Sequence, residues 1–312
     1  MKHIRLLFYA LALSLTFTAC TSDSEDEFTP LTDADFLPSS SNTNANDPSI
    51  DPVLSNPEFP RIKDSGTQIL VNKTGNTVNY CVEWDTGKRS QRYSCYQMDN
   101  TLGAKRVSRY YPTQPGELQY PFDTRITDYF PSDPFYSSGY DHGHIVPSAD
   151  RLYSKEANIQ TFLLTNMQPQ VNGFNAGVWE NMESQLRDWN KDGFRKKLYI
   201  CKGGTIENTE AIPNAFTTMA RTGGNLIIPA YYFMAVLCYT PNDGWKAMGF
   251  WVEHKANSAS NEALAQYMVN IDELERLTGI DFFCNLPDNL EELVESAPLS
   301  EVKSVWPLTS SK

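Results

Sequence analysis

The sequence predicts a domain of the α+β class, in which helices pack against a central sheet. In some short segments apolar residues alternate or run continuously, which is typical of strands, and in others they recur at helical spacing. The two kinds of segment are mixed without the strict alternation that a parallel sheet requires. With 312 residues, 40% of them hydrophobic, the chain can bury a sizeable core.

Six segments are predicted to form strands. They are 67–71, 78–84, 92–98, 197–201, 231–239 and 246–252. The second and third segments alternate and flank turn-forming residues at 85–88, so they predict a hairpin. The last three are nearly continuous apolar runs, which indicates strands buried on both faces.

Helical spacing is clearest in residues 176–189. Its apolar positions are Val178, Trp179, Met182, Leu186 and Trp189. Residues 260–269 and 271–278 predict two shorter helices. Residues 110–138 are rich in Pro, Tyr, Asp and Ser and predict a long loop, a feature that is often functional in a compact domain.

The N-terminus has the features of an export signal. Lys2 and Arg5 precede an apolar run that is too short to span a bilayer and is typical of a signal peptide, predicted at 1–19. The run ends in Ala-Cys, which resembles a bacterial lipobox and predicts that Cys20 is lipidated. The alternative is an ordinary signal peptide that happens to contain a cysteine.

The residues after Cys20 predict a tether. Residues 20–60 are polar and Pro-rich with scattered hydrophobes, and we expect them to link a lipid anchor to a folded domain at 61–312. The acidic run at 23–27 resembles an export tag for display on the cell surface, although a solvated tether would have the same composition. The predicted location is the outer membrane, with contact to the membrane through the lipid alone.

Net charge does not exclude a nucleic-acid partner. The chain carries a formal charge of −12, but residues 1–60 alone hold nine acidic and two basic residues, and the middle of the chain is nearly neutral. Five cysteines follow Cys20, an odd number, so at least one thiol stays free. Cys81 and Cys95 flank the predicted hairpin turn and are the first candidates for a disulfide; the alternative is that all five are small core residues.

Two of the four histidines lie together in residues 140–147, Tyr-Asp-His-Gly-His-Ile-Val-Pro. His142 and His144 have three interpretations: polar surface residues, a zinc site, or a catalytic base that titrates near neutral pH. A structural zinc site needs four ligands, and no cysteine or further histidine is near in sequence. We expect His254 to be structural.

The residues that follow decide between these interpretations. A Thr-Asn-Met-Gln-Pro-Gln run occupies 165–170, Asn175 follows it, and Trp179 and Glu183 are spaced four apart. This ordered set resembles the DNA/RNA non-specific endonuclease family, the ββα-metal or His-Me finger nucleases that include mitochondrial endonuclease G. The resemblance covers residues 65–295 and includes a late Thr-Gly-hydrophobic-Asp-Phe-Phe segment beginning at Thr278.

The resemblance implies a role for each matching residue. His144 is implied as the general base, Asn175 as the sole direct protein ligand of Mg²⁺, and Glu183 as the holder of metal-bound water. Asn166 is implied as an active-site asparagine near the base, and Asp141 as a supporting acid at the start of the motif. The family also implies a mainly antiparallel central sheet flanked by helices, Mg²⁺ with Mn²⁺ as a substitute, and DNA and RNA as substrates.

The sequence departs from the family pattern at His142, where the family usually has arginine, so phosphate binding at that position is in doubt. The family also implies an arginine upstream of the motif that stabilises charge in the transition state. Arg109 and Arg106 are both candidates for this role, and we prefer Arg109. Arg151 is a second phosphate-binding candidate, with a surface charge as the alternative. The basic run 195–197 has the same two interpretations.

Two rival functions stay open. One is a catalytically weak, surface-exposed, nucleic-acid-binding lipoprotein; the other is a zinc-dependent hydrolase built on His142 and His144. The sequence also leaves open the preference between DNA and RNA and the oligomeric state, with a homodimer as one assembly found among relatives.

Overall fold

The computed structural model describes residues 41–240 and 244–309. These residues form eleven strands and five α-helices. The strands are β1 (Thr67–Thr74), β2 (Thr77–Asp85), β3 (Ser90–Met98), β4 (Asp141–His144), β5 (Met167–Gln170), β6 (Leu198–Gly204), β7 (Phe216–Arg221), β8 (Gly224–Pro229), β9 (Tyr231–Thr240), β10 (Gly244–Glu253) and β11 (Met268–Val269). The helices are α1 (Lys155–Gln160), α2 (Glu180–Trp189), α3 (Ile271–Thr278), α4 (Asp288–Glu295) and α5 (Leu299–Val305).

Seven strands form the central sheet in the order β1-β2-β3-β6-β9-β10-β11, and every neighbouring pair is antiparallel. Two neighbouring pairs, β3–β6 and β6–β9, are not consecutive in the chain, so longer connections join them. The prediction of an α+β fold with a mainly antiparallel sheet is confirmed. None of the helices in residues 41–240 and 244–309 has the length and apolarity needed to cross a bilayer.

The central sheet is covered on both faces. On one face a core cluster includes Trp179 and Met182, which belong to α2 and the segment before it. On the other face a separate cluster includes Ile271 and Leu274 of α3 and Val294 of α4. Burial on both faces explains why β9 is an almost continuous apolar run.

Two small antiparallel ribbons, β4–β5 and β7–β8, lie beside the central sheet. The β4–β5 ribbon and α2 together form a ββα unit. Gly143 is required in β4 because a Cβ atom there would lie 2.6 Å from the carbonyl oxygen of Gln168 and 2.4 Å from two side-chain carbons of Gln170. This close approach lets the two strands pair across the middle of the histidine motif.

Several predicted elements differ from those observed. Residues 41–60 do not form a free tether: Val53, Leu54 and Phe59 are buried in the core cluster of the α3 face, and Asn46 is buried with them. The predicted helix at 176–189 is a π-helical segment, Phe174–Trp179, followed by α2. The predicted helix at 260–269 is a 3-10 helix, Asn261–Tyr267.

All five cysteines after Cys20 are free and buried, with Cys81 directly opposite Cys95 in the β2–β3 pair. The structure therefore has the second of the two expected arrangements, small core residues. The predicted signal peptide and Cys20 lie outside the described residues.

Candidate active site

A cleft of about 430 Å³ opens between β4, α2 and the long loop that joins β3 to β4. Its lining is polar and combines both ring-bearing and carboxylate side chains. The lining residues include Arg109, Tyr120, Asp141, His142, His144, Asn175, Glu180, Glu183 and Arg187. A larger cavity, of about 540 Å³, lies between residues 55–58 and the central sheet, but its lining includes no histidine.

His144 occupies the cleft with one ring nitrogen unsatisfied. It is the last residue of β4 and pairs with Met167 of β5, and the two-residue period of a strand places it on the same face as His142. Its Nε2 atom is buried and has no hydrogen-bond partner among the residues that the structure describes. In a neutral imidazole, a ring nitrogen without a partner can accept a proton.

Burial lowers the pKa of His144 to about 3, and the positive charge of Arg109 contributes in the same direction. The ring lies 4.9 Å from that of Phe162 at an interplanar angle of 88°. Arg109 packs on the same phenyl ring, with its guanidinium carbon 4.8 Å from the centroid. Phe162 thus fixes both the imidazole and the arginine, and the imidazole is neutral in the free cleft at neutral pH.

Asn175 is oriented by a carboxylate. Its Nδ2 donates to Oδ2 of Asp141 at 3.0 Å, and Nδ2 of Asn172 donates to the same oxygen at 3.0 Å. With the amide nitrogen committed in this way, Oδ1 of Asn175 is the atom left for a cation. Asn175 does not cap the helical segment that contains it, because Gly173 occupies the N-cap position.

The π-helical segment brings Asn175 and Glu183 to one cleft although they do not share one regular helix. The backbone kinks at Gly177, whose amide lies so close to residues 257–258 that a Cβ atom would be 2.1 Å from the Asn257 carbonyl oxygen. Local π-helical turns of this kind occur frequently at functional sites.

Behind the cleft, buried charges are paired. Nζ of Lys202, on β6, donates to Oε1 of Glu183 at 2.7 Å and lies over the ring of Trp179. Burial raises the pKa of Glu183, and the Lys202 charge opposes this effect. Arg187, one turn along α2, bonds to the buried Asp150 at 3.1 Å. These pairs hold α2 against the sheet and fix the Glu183 carboxylate at the edge of the cleft.

His142 is held differently from His144. Its Nε2 bonds to Oδ2 of Asp133 at 2.8 Å, and its ring stacks on Tyr120 with centroids 3.7 Å apart. Both partners come from the long loop. Since Nε2 is occupied, His142 cannot also use that atom to take a proton from water.

Comparison with known proteins gives the family. A family model described as DNA/RNA non-specific endonuclease matches residues 62–289. The chain belongs to the DNA/RNA non-specific endonuclease family. It is therefore an enzyme that cleaves nucleic acids.

Individual relatives agree with this family. A nuclease of Nostoc sp. is 31% identical over 225 residues, which cover 70% of this chain and 75% of that protein. A nuclease of Syncephalastrum racemosum is 31% identical over 53% of this chain and 54% of its own length. Human mitochondrial endonuclease G is 28% identical over 48% of this chain and 50% of its own length. The chain thus spans three quarters of the first relative and about half of the other two.

A solved structure shows the same fold. The crystal structure of the EndoG/EndoGI complex aligns with a TM-score of 0.57 and 19% identity, covering 69% of this chain and 86% of that chain. The prediction of a fold of the endonuclease G type is confirmed.

Most residues that the family resemblance singled out lie together in the cleft: Asp141, His142, His144, Asn175, Glu183 and Arg109 all line it. Arg106 is not among the lining residues. Asn166 lies behind the cleft rather than in it. Its side chain is fully buried and bonds to the backbone of Val146 through both Oδ1 and Nδ2. It therefore holds the chain that follows His144, and contact with substrate is not available to it.

Arg151 is the site prediction that the structure overturns. It is neither a phosphate-binding residue nor a surface charge, because it is fully buried. Its guanidinium donates to the backbone carbonyls of Asn79, Gln97 and Asp150 and packs on the ring of Tyr96. His254 is structural as expected, since its ring bonds to the Val171 amide and the Pro229 carbonyl.

The two arginines should separate stability from activity. We expect Arg151→Met to lower the free energy of unfolding by about 3 kcal/mol or more, because three buried carbonyls lose their donors. Arg109→Met should leave stability unchanged and reduce the cleavage rate by about 10-fold to 100-fold through the loss of a positive charge at the cleft. Urea denaturation and a cleavage assay on both variants check this, and loss of stability in Arg109→Met alone would contradict it.

The zinc interpretation loses its geometric basis. Among the residues that the structure describes, only Asp272, Glu275 and Glu295 form a group of three His, Cys, Asp or Glu side chains close enough to share a metal. His142 and His144 belong to no such group. Asp272 and Glu275 lie on α3, on the opposite face of the central sheet from the cleft.

The residues of the site that were not predicted include Tyr120, Asp133, Arg187 and Lys202. Two had a signal in the sequence. Arg187 follows Glu183 by one helical turn, and Lys202 is a lone charge at the end of an apolar strand. Tyr120 and Asp133 lie in an irregular loop where spacing predicts nothing.

Proposed function

We propose that the protein hydrolyses phosphodiester bonds of DNA and RNA with little sequence preference, in a Mg²⁺-dependent reaction for which Mn²⁺ can substitute. The observation that carries the proposal is that two side chains suited to this reaction line one cleft. Nε2 of His144 has no partner among the described residues, and the side-chain nitrogen of Asn175 is bonded to Asp141. One atom is free to accept a proton, and the other is an oxygen suited to a hard cation.

The roles of the side chains follow from this arrangement. Nε2 of His144 removes a proton from water as the water oxygen attacks phosphorus, and the bond to the leaving oxygen breaks. Asn175 would hold the ion, with Glu183 fixing its water ligands from the pocket edge. When bound, Mg²⁺ supplies stabilisation of the negative charge that develops on the phosphate oxygens. Arg109, which packs on the ring of Phe162, adds a positive charge to the cleft.

Digestion of supercoiled plasmid, linear DNA and single-stranded RNA tests the proposal. Purified protein should degrade all three substrates with Mg²⁺ or Mn²⁺, and chelation with EDTA should stop the reaction reversibly. Full activity in excess EDTA would overturn the metal dependence. Tight nucleic-acid binding without any cleavage would instead favour the alternative, a catalytically weak binding protein.

We further propose that Cys20 carries a lipid that anchors the enzyme to the outer membrane, on the basis of the Ala-Cys junction that ends the apolar run. Cys20→Ser should move the protein from the detergent phase to the aqueous phase in a phase-partition experiment, with its specific activity unchanged. A wild-type protein that already partitions into the aqueous phase would contradict the anchor.

A further inference from the structure

Five carboxylates converge between α3 and α4, on the opposite face of the central sheet from the active-site cleft. Asp272 and Glu275 lie on α3, Glu295 is the last residue of α4, and their nearest oxygens all lie within 4.8 Å of one another. Glu291, one turn earlier on α4, and Asp281, in the loop after α3, complete the group.

Glu295 is the member that most needs a partner. Only 7% of the surface of this residue is exposed, and no described residue gives its Oε1 atom a hydrogen bond. It also stands at the C-terminal end of α4, where the helix dipole disfavours a negative charge and favours a cation. A buried carboxylate oxygen with no donor is costly unless a proton or a cation satisfies it.

In the described part of the chain no basic side chain forms an ion pair with these carboxylates, although the charge of Arg61 acts to lower the pKa of Asp281. The charges that act most strongly on Glu295 are those of Glu275, Glu291, Asp281 and Asp272, all acidic. Together with burial they raise the pKa of Glu295 to about 11 and that of Glu275 to about 8. Within residues 41–240 and 244–309, none of the five carboxylates forms an ion pair with a lysine or arginine.

The other members are already positioned by hydrogen bonds. Glu275 accepts from the Phe282 amide at 2.6 Å, and Glu291 accepts from Nδ2 of Asn44 at 2.8 Å. Asn270 donates to the Ala297 carbonyl at 3.3 Å, which ties the start of α3 to the end of α4. The carboxylates are thus held in place by the backbone and by the N-terminal segment.

We propose that Asp272, Glu275 and Glu295 form a second cation site, specific for Ca²⁺, that stabilises the fold and takes no part in cleavage. The chemistry favours Ca²⁺ over Mg²⁺. Calcium accepts six to eight oxygens at about 2.3–2.6 Å in flexible geometry, so oxygens spread over the observed range can reach one ion. Asp272 is exposed, which leaves room for water to complete the shell.

Thermal unfolding of the chelator-stripped full-length protein tests the proposal. The cleft metal site is first removed with Asn175→Ala, so that only the second site can respond. We expect the unfolding midpoint of this protein to rise by about 5–10 °C at a Ca²⁺ concentration of about 100 times the Kd. Mg²⁺ at the same concentration should give a clearly smaller shift.

Three further variants show where the ion binds. Glu295→Gln should abolish most of the Ca²⁺ shift, and so should the surface substitution Asp272→Asn, made independently. In an otherwise wild-type chain, each substitution should leave Mg²⁺-dependent cleavage intact. Glu273→Gln is the matched control, because Glu273 lies on α3 but its carboxylate pairs with Arg276 and is not a member of the group. The Ca²⁺ shift of this variant should equal that of the protein without the substitution.

No Ca²⁺ shift in the Asn175→Ala protein, an equal shift in Glu295→Gln and Asp272→Asn, or an equal response to Mg²⁺ would each overturn the assignment. The carboxylates would then share protons instead.

Discussion

Asn175→Ala should reduce cleavage of plasmid DNA by about 10³-fold at saturating Mg²⁺, because several kcal/mol of transition-state stabilisation depend on the ion that this side chain holds. The fold should be unaffected, since Asn175 lies at the cleft and, among the described residues, its side-chain amide bonds only to Asp141. Circular dichroism and the unfolding midpoint check the fold, and initial rates check the activity.

Asn172→Ala is the matched control for this prediction. Asn172 donates to the same oxygen of Asp141 at the same 3.0 Å distance, but the bond is exposed and the residue does not line the cleft. An exposed hydrogen bond contributes about 0.5 kcal/mol, so the rate should change by about 2-fold. Equal losses in the two variants would mean that the asparagines act only by orienting Asp141, and Asn175 would no longer be the metal ligand.

The metal dependence of each protein gives a second readout. If Asn175 binds the ion directly, the little activity that the alanine variant retains should require a much higher Mg²⁺ concentration than the wild type does. If Asn175 has another role, the Mg²⁺ concentration at half-maximal rate should not change, even though the maximal rate falls.

The core of the site was predictable because its spacing is local. The family resemblance singled out His142 and His144 from this spacing, and they share a face through the two-residue period of β4, a strand that was not among the six predicted. The family resemblance implied that Asn175 and Glu183 belong to one site. The cleft contains both, but through a π-helical segment and a kink at Gly177 that no periodicity reveals.

Tertiary contacts explain what the sequence did not predict. Arginine is usually exposed at the protein surface. The burial of Arg151 depends on three backbone carbonyls from separate segments that converge on its guanidinium. Lys202 reaches Glu183 only because β6 packs against α2. Neither relation is encoded in the spacing of residues near either side chain.

The segment 41–60 shows how composition can mislead. Its polar, Pro-rich sequence predicts a tether, yet a few hydrophobes are enough to dock it, since Leu54 and Phe59 are fully buried. Polar residues make specific bonds rather than solvating a free chain: Nδ2 of Asn46 donates to the carbonyls of Leu54 and Pro60. Average hydrophobicity cannot detect such an arrangement, because the few contacts that matter are far apart in sequence.

His144→Ala should lower the single-turnover cleavage rate by about 10²–10⁴-fold, the usual contribution of a positioned general base. Substrate affinity should change far less, since contacts with backbone phosphates dominate it. His142→Ala is the comparison, because both rings lie on one face of β4 and line the same cleft. Nε2 of His142 is bonded to Asp133, so this ring is not the base. Loss of His142 should therefore weaken substrate binding and leave a substantial rate at saturating substrate.

The pH dependence follows from the low pKa of His144. Because burial lowers it to about 3, the base is already neutral in the free enzyme throughout the physiological range. We therefore expect kcat/KM to stay nearly flat between about pH 5 and pH 8 and to fall only in more acidic solution, rather than to rise across neutrality as an ordinary histidine would require. A steep rise in kcat/KM between about pH 6 and pH 7, the range in which an ordinary histidine loses its proton, would show that another group controls the rate.

The same shift ties activity to stability in acid. The folded-state pKa of His144 lies below the unfolded value of 6.5, so the unfolded chain binds this proton more readily. The contribution of His144 to the free energy of unfolding is therefore fully present above about pH 6.5 and declines as the pH falls toward 3. His144→Ala removes this component, and its stability should fall less than that of the wild type between pH 7 and about pH 4.5. If His142→Ala is instead the inactive variant, and His144→Ala retains both the rate and the acid sensitivity of the wild type, the base has been assigned to the wrong histidine.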